Sequence, residues 1–235
     1  MGSAVDFHST IADDFDAKYK TSREFIERYQ IWSSYLQQHL KPTDTVLDAG
    51  CGSGVFSFLA AQLCQSVVGV DGSQGMLKLC EEKRTQKKVS NVTFYEHYLP
   101  LPTHFLANQR FDAIISSSVL EYIQDWEKCV ADFNTRLKDN GLLIVSMPNY
   151  SGIYRKLERV LFSTTGYPKF LHHVPFKDSV AIFDEKMNKA GFVKKSFDYF
   201  ANDRLTRGLL VKVLPAHLTH NLFIAVYQKN NGGHL

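Results

Sequence analysis

A chain of 235 residues has room for one substantial α/β domain and is cramped for two. With 44% hydrophobic and 22% charged residues it can bury enough apolar surface to offset chain entropy, which excludes disorder as its general state. A formal charge of +3 is too small to argue for a nucleic-acid binder, and the clusters Lys83, Arg84, Lys87, Lys88 and Lys194, Lys195 read as solvated surface.

In chain order, acids stand among the first sixteen residues where a signal peptide needs an apolar run, so a cytoplasmic location is expected. Across residues 22–40, Phe25, Ile26, Tyr29, Trp32, Tyr35 and Leu36 recur at helical spacing, which predicts a packed amphipathic helix. Short β-rich runs then alternate with helical stretches. Strands are expected at 45–49, 66–71, 92–96, 111–117 and 142–147, with helices at 55–63, 73–83 and 125–137 between them. Such alternation predicts a parallel sheet. Asn140 and Gly141 read as the stop of the 125–137 helix, the glycine supplying a left-handed residue.

After the fifth strand, residues 150–177 break the rhythm with Gly152, Gly166, Pro168 and Pro175 among aromatic and basic residues, and are expected to form an irregular inserted cap. A helix over 179–190, stopped by Gly191, precedes strands at 194–200 and 222–228 that are expected to pair antiparallel. The apolar stretch 209–227 contains Lys212, Pro215, His217 and His220, which argue against a membrane span. Cys51, Cys64, Cys80 and Cys129 form no C-x-x-C pair and no zinc spacing, so reduced thiols and no metal are expected.

The informative run is Val46-Leu47-Asp48-Ala49-Gly50-Cys51-Gly52-Ser53-Gly54, an apolar strand entering three glycines and then a helix. Glycines let the backbone turn sharply and approach a ligand closely. Counting from Gly50 and Gly52, Val55 occupies the third glycine position of a dinucleotide fingerprint, and no Lys-Ser or Lys-Thr follows as in a phosphate loop. Asp48 beside the turn would repel pyrophosphate but accept hydrogen bonds from a cationic amino-acid group. Asp71, ending Val68-Gly69-Val70-Asp71-Gly72-Ser73, is placed to take both hydroxyls of a ribose. Adenosine joined to an amino acid satisfies both carboxylates.

VLDAGCGSG (46–54), VVGVDGS (67–73), FDAIISSSVLEYI (111–123) and GLLIVSMPN (141–149) resemble the class I methyltransferases that use S-adenosylmethionine (SAM) and release S-adenosylhomocysteine (SAH). The resemblance implies a Rossmann-like seven-stranded, mostly parallel sheet with the last strand antiparallel, helices on both faces and a small cap, within a single domain 1–235. It also implies that Asp48, Ala49, Gly50, Cys51, Gly52 and Gly54 surround the methionine part, that Asp71 and Gly72 hold ribose and that Met76 packs on adenine. Where the family often has an acid after the third strand, this chain reads Glu96-His97-Tyr98-Leu99-Pro100, so Glu96 or a backbone carbonyl stands in, with Tyr98 and Leu99 as neighbours. The resemblance also implies that Ser117, expected to close the fourth strand, lies beside the cofactor. The segment 11–19 is similar to the lead-in of ubiquinone-pathway O-methyltransferases, which implies an N-terminal helical lid over residues 1–40 with Tyr19 and Arg28 near the methionine carboxylate.

A methyl on sulfonium is already activated, so alignment is the protein's main task. Glu121 and Tyr122 follow the fourth strand, where ligands sit in open α/β sheets, and are candidate base and orienting groups. His172 and His173 in the cap (150–178) are further candidates for proton transfer. Aromatic and aliphatic cap residues point to a small, apolar or aromatic acceptor, oxygen first. Arg155, Lys156, Arg159 and Lys169 leave an anionic, carrier-protein-bound or lipophilic acceptor open. An RNA or protein methyltransferase and a non-catalytic SAM-binding subunit are the alternatives; Ser116-Ser117-Ser118-Val119 lacks the Pro-Pro-aromatic signature of nucleic-acid amino-methyltransferases.

Overall fold

The computed structural model describes Val5, Ser9 and residues 12–202 and 213–230. Most of residues 1–11 of the expected lid, Ile11 of the lead-in and residues 209–212 of the apolar stretch lie outside the described residues. Two helices, α1 (Ala12–Thr21) and α2 (Arg23–His39), lead into β1 (Thr45–Ala49), α3 (Val55–Ala61), β2 (Ser66–Asp71), α4 (Gln74–Lys87), β3 (Val92–Glu96) and β4 (Phe111–Ser117). A 3-10 turn (Leu120–Tyr122), α5 (Trp126–Arg136), β5 (Leu137–Pro148) and α6 (Ile153–Thr165) follow. Beyond a second 3-10 turn (Lys169–His173) come α7 (Val180–Lys189), β6 (Phe192–Asn202), α8 (Ala216–Thr219) and β7 (His220–Lys229).

Seven strands form one sheet in the order β3-β2-β1-β4-β5-β7-β6. Only β7 runs against the others, pairing antiparallel with β5 and β6. Because helices cover both faces, β1, β2 and β4 are nearly continuous buried runs rather than alternating ones. Successive side chains still point to opposite faces: Leu47 joins a core with Trp126, Phe133 and Phe183, whereas Val46 joins one with Trp32, Leu36 and Phe56. Strand order reverses between β1 and β4, and the cleft beyond their carboxyl ends is where such sheets bind ligands.

Two local expectations are corrected. The fifth helix ends at Arg136 and Leu137 is already extended; Asn140, at φ 60°, takes the left-handed conformation, while Gly141 does not. β5 therefore starts five residues earlier than expected, reaching back across an irregularity opposite Phe111 and Ala113. The segment expected to be an irregular cap is also more regular than its glycines and prolines suggest, because Gly152 and Gly166 bound helix α6, the latter as a left-handed stop at φ 69°.

Candidate active site

A cavity of about 420 Å³ lies at the carboxyl ends of β1, β2 and β4. Asp48, next to last in β1, is 2% exposed, and its Oδ2 accepts a hydrogen bond of 2.5 Å from Ser57 Oγ on α3. Burial pushes its carboxyl up to about 7; the Ser57 bond opposes the rise and the nearby Asp71 charge adds to it. The glycine loop is held down by the N–H groups of Gly50 and Cys51, which both donate to Val70 O at 2.8 and 2.9 Å. Gly50 has φ +78°, and a Cβ there would lie 2.4 Å from a Val119 methyl. At Gly52, φ +52°, a Cβ would meet nothing within 4 Å, because that residue faces the cavity.

Asp71 ends β2 and ties the loop to the next helix. Its Oδ2 accepts from Gly52 N and its Oδ1 from Ser73 N, each at 2.8 Å. Burial raises its pKa, although these backbone bonds pull the other way. Ser73 caps α4 by accepting from Met76 N at 3.2 Å, which sets buried Met76 against the cavity.

From the N-terminal side, Tyr19 lines the cavity with its ring edge-on to Phe25 and Phe56 at 5.0 and 5.9 Å. Arg28, also lining it, donates through Nη2 to Ser117 O and Oγ at 2.8 and 2.7 Å, so α2 is fastened to the tip of β4. Asp16 on α1 accepts from Ser53 Oγ at 2.7 Å and pairs with Lys83, whose ammonium also donates to Ser53 O at 3.0 Å. Burial of Asp16 works against its charge, but the Lys83 and Ser53 bonds outweigh it and hold the carboxyl below its usual value.

The structure brings Tyr19, Arg28, Asp48, Gly50, Cys51, Gly52, Asp71, Gly72, Met76, Tyr98, Leu99, Ser117 and Tyr122 to this one cavity. It does not bring all the expected residues there. Ala49 is buried in the core beneath, and Gly54 starts α3 at φ +78°, packed against Cys80 and Phe58. Glu96 is engaged by Gln74 Nε2 at 2.9 Å, so His97, Tyr98 and Leu99, not Glu96, line that side. Exposed His172 packs its ring on Phe162 at 4.7 Å, and neither it nor His173 reaches the cavity.

Glu121 does not line the cavity either, although Val119 and Tyr122 on both sides of it in the sequence do. It is 4% exposed, and its Oε2 has no hydrogen-bond partner. Burial pushes this carboxyl up to about 7, against the pull of Arg28 and Arg155. Burial also pushes the Tyr122 phenol well above its ordinary value, so it stays protonated at neutral pH. Ser53 lies within the glycine loop that the sequence pointed to, whereas sequence reasoning missed Ser118, Ile123 and Gln124. Ser118 adopts φ 55°, a left-handed conformation rare outside glycine, and no sequence signal marks it.

Two carboxylates at neighbouring strand tips with a close-approach glycine turn between them can hold a ligand that is cationic at one end and carries a diol at the other. Among the described residues no group of three or more His, Cys, Asp or Glu is placed to hold a metal, and no helix is long and apolar enough to cross a membrane.

The chain matches the Methyltransferase domain family over residues 40–167, more than half its length. It is 24% identical over 130 residues to the ubiquinone biosynthesis O-methyltransferase of Pelagibacter ubique (strain HTCC1062), which is 55% of this chain and 50% of that one. The chain spans between 24% and 58% of the length of the curated relatives compared. Among solved structures, magnesium protoporphyrin IX methyltransferase from Synechocystis PCC 6803 with bound SAH has a TM-score of 0.71 at 18% identity, over 95% of this chain and 96% of that one. The N-methyltransferase NodS from Bradyrhizobium japonicum WM9, in complex with SAH, has a TM-score of 0.69 at 13% identity, over 97% and 99%. Both likenesses are of fold. Because the family match takes in the strand tips and glycine turn that build the cavity, this chain belongs to the methyltransferase-domain family, whose cofactor is S-adenosylmethionine.

Proposed function

We propose that this enzyme transfers the methyl group to an oxygen of a small, apolar or aromatic acceptor by in-line displacement. When bound, SAM supplies a methyl group activated on sulfonium. Asp48 would take its ammonium group, Asp71 its ribose hydroxyls, and Met76 with Tyr98 and Leu99 the adenine. Arg28, through the guanidinium nitrogens not given to Ser117, would face the methionine carboxylate.

One observation carries the acceptor reading: next in sequence to Tyr122, which lines the cavity with Val119 and Ile123, the Glu121 carboxyl is buried outside the lining with an unpartnered Oε2 and titrates near neutrality, so Glu121 would act only where the acceptor or a turn of its side chain brings the two within reach. A hydroxyl must lose its proton as it attacks, and a base poised near 7 is suited to accept it. Tyr122, held as the phenol, would orient the acceptor. Alignment supplies about 7–11 kcal/mol of such barriers and a positioned base contributes about 10²–10⁴-fold, so loss of Glu121 slows transfer without abolishing it. No step is assigned to His172 or His173.

The reading includes residues 1–40 as a lid and 150–178 as a cap over the acceptor. Support for the lid comes from the Asp16–Ser53–Lys83 tie, and for the cap from Phe176, whose N–H donates to Glu121 O at 3.4 Å and whose ring meets Tyr150. A cytoplasmic setting is supported by four free, buried thiols. The test is incubation of the purified chain with methyl-labelled SAM and a fractionated cell extract. Label in a solvent-extractable small molecule, released as a methyl ether or ester, is expected; label confined to RNA or protein overturns the reading.

A further inference from the structure

Helix α6 is turned inside out. Ile153, Leu157, Val160 and Leu161 fall on one face at spacings of three and four, the pattern that ordinarily marks a buried side. Here Leu157, Val160 and Leu161 are 52%, 63% and 49% exposed, and Tyr167, just past the helix, is 64% exposed. The other face, which should meet water, is the buried one: Arg155 and Glu158 form an ion pair of 2.6 Å, their side chains 15% and 7% exposed. Arg155 is further directed to Asn221 O at 3.5 Å, so the helix is anchored in this orientation through its charges. A contiguous apolar stripe facing outward marks a surface that something covers.

The charges around the stripe indicate what does. Between residues 150 and 177 the bases are Arg155, Lys156, Arg159, Lys169 and Lys177, and the one acid is Glu158, which is buried against Arg155. Lys156, Lys169 and Lys177 are exposed, so the outward charge of the segment is positive throughout. A second copy of the same face would set these cations against one another. An anionic bilayer offers acyl chains to the leucines and valine, the headgroup level to Tyr167, and negative charge to the lysines.

We propose that α6 and Tyr167 form a docking face for an anionic lipid surface, holding the cap side of the enzyme against the bilayer without insertion of a spanning helix. This does not rest on the identity of the acceptor or on Glu121.

Flotation of the full chain, saturated with SAH, with vesicles of phosphatidylcholine alone or mixed with phosphatidylglycerol tests it. Expected are binding to the mixed vesicles at low salt, loss of that binding at high salt, and little binding to phosphatidylcholine alone. L157E/L161E should abolish flotation, and K156A/K169A should weaken it by about fivefold for each lysine removed. Both variants should keep the wild-type affinity for SAH by calorimetry, which separates this result from failure to fold. No flotation of the wild-type chain with mixed vesicles, flotation of L157E/L161E equal to wild type, or light scattering showing a dimer that L157E/L161E dissolves would each overturn the proposal.

Discussion

Ser57, one turn into α3, donates its hydroxyl to Asp48 at the tip of β1 across 2.5 Å, and this is the bond that keeps a fully buried carboxylate partly ionised near neutrality. Without a cationic ligand Asp48 titrates at about 7, and an ammonium group placed beside it favours the ionised form. Affinity for SAH should therefore rise as pH increases from about 5 to about 7 and then level off, with protons released on binding throughout that window. Calorimetry in buffers of different ionisation enthalpy measures the release. Ser57→Ala should move the midpoint to higher pH, and Asp48→Asn should remove the dependence.

Asp71, proposed above to hold the ribose, also satisfies the N–H groups of Gly52 and Ser73. Asp71→Ala should weaken SAH binding by about a hundredfold, and leaving two backbone donors short of a partner should cost about 2 kcal/mol of stability. Asp71→Asn keeps one acceptor oxygen and should lose less stability than affinity. Paired calorimetry and thermal denaturation distinguish these outcomes; equal affinity in wild type and Asp71→Ala removes the ribose assignment.

The two glycines at the turn should fail in different ways. Gly50→Ala adds a Cβ 2.4 Å from a Val119 methyl at positive φ, so both folding stability and SAH affinity should drop. Gly52→Ala meets no neighbour, so stability should fall only by the left-handed cost of about 1 kcal/mol while the methyl intrudes on the ligand. A ligand-free melting curve together with an SAH titration for each variant checks the contrast.

Glu121 has a folded-state pKa of about 7 against an ordinary value of 4.5. A raised carboxyl contributes its stability below the unfolded value, and that contribution is lost as pH rises through the folded one. Glu121→Gln, which cannot ionise, should therefore gain on wild type by about 2 kcal/mol between about pH 5 and about pH 8. Denaturant unfolding at both pH values reads the change; a pH-independent difference would mean that Glu121 is not the titrating group.

Asp16, Ser53 and Lys83 fasten α1 over the glycine loop. Lys83→Ala should leave most of the fold unchanged and raise the dissociation rate of SAH several-fold, as measured by stopped-flow displacement. An unaltered rate would show that α1 does not retain the ligand.

The first four strands were legible to the residue: β1, β2 and β4 because each is a short apolar run ended by a turn, as parallel strands covered on both faces are, and the more exposed β3 because its β-branched and aromatic residues stand between loops. The glycine turn and the acids at 48 and 71 were legible for the same local reason. Helix α6 was not, because Gly152, Gly166 and Pro168 read as disruption although the glycines bound a helix and the proline follows it. Its exposed apolar side also runs against the assumption that a periodic stripe faces the core. Contacts between distant residues carry no local pattern at all: the ties from Asp16 to Lys83 and from Arg28 to Ser117, and the left-handed turn at Ser118, arise only when the sheet assembles.

β7 comes last in the described chain yet lies inside the sheet, between β5 and β6. Until it is made, β6 has no strand to pair with and β5 presents an open edge. During synthesis the glycine-loop half, from β3 through β4 to β5, can therefore assemble while the other half waits for the ten residues of β7. A nascent chain halted before residue 220 would present a ligand-binding half beside an unpaired strand edge, the kind of surface on which chaperones act and aggregates begin.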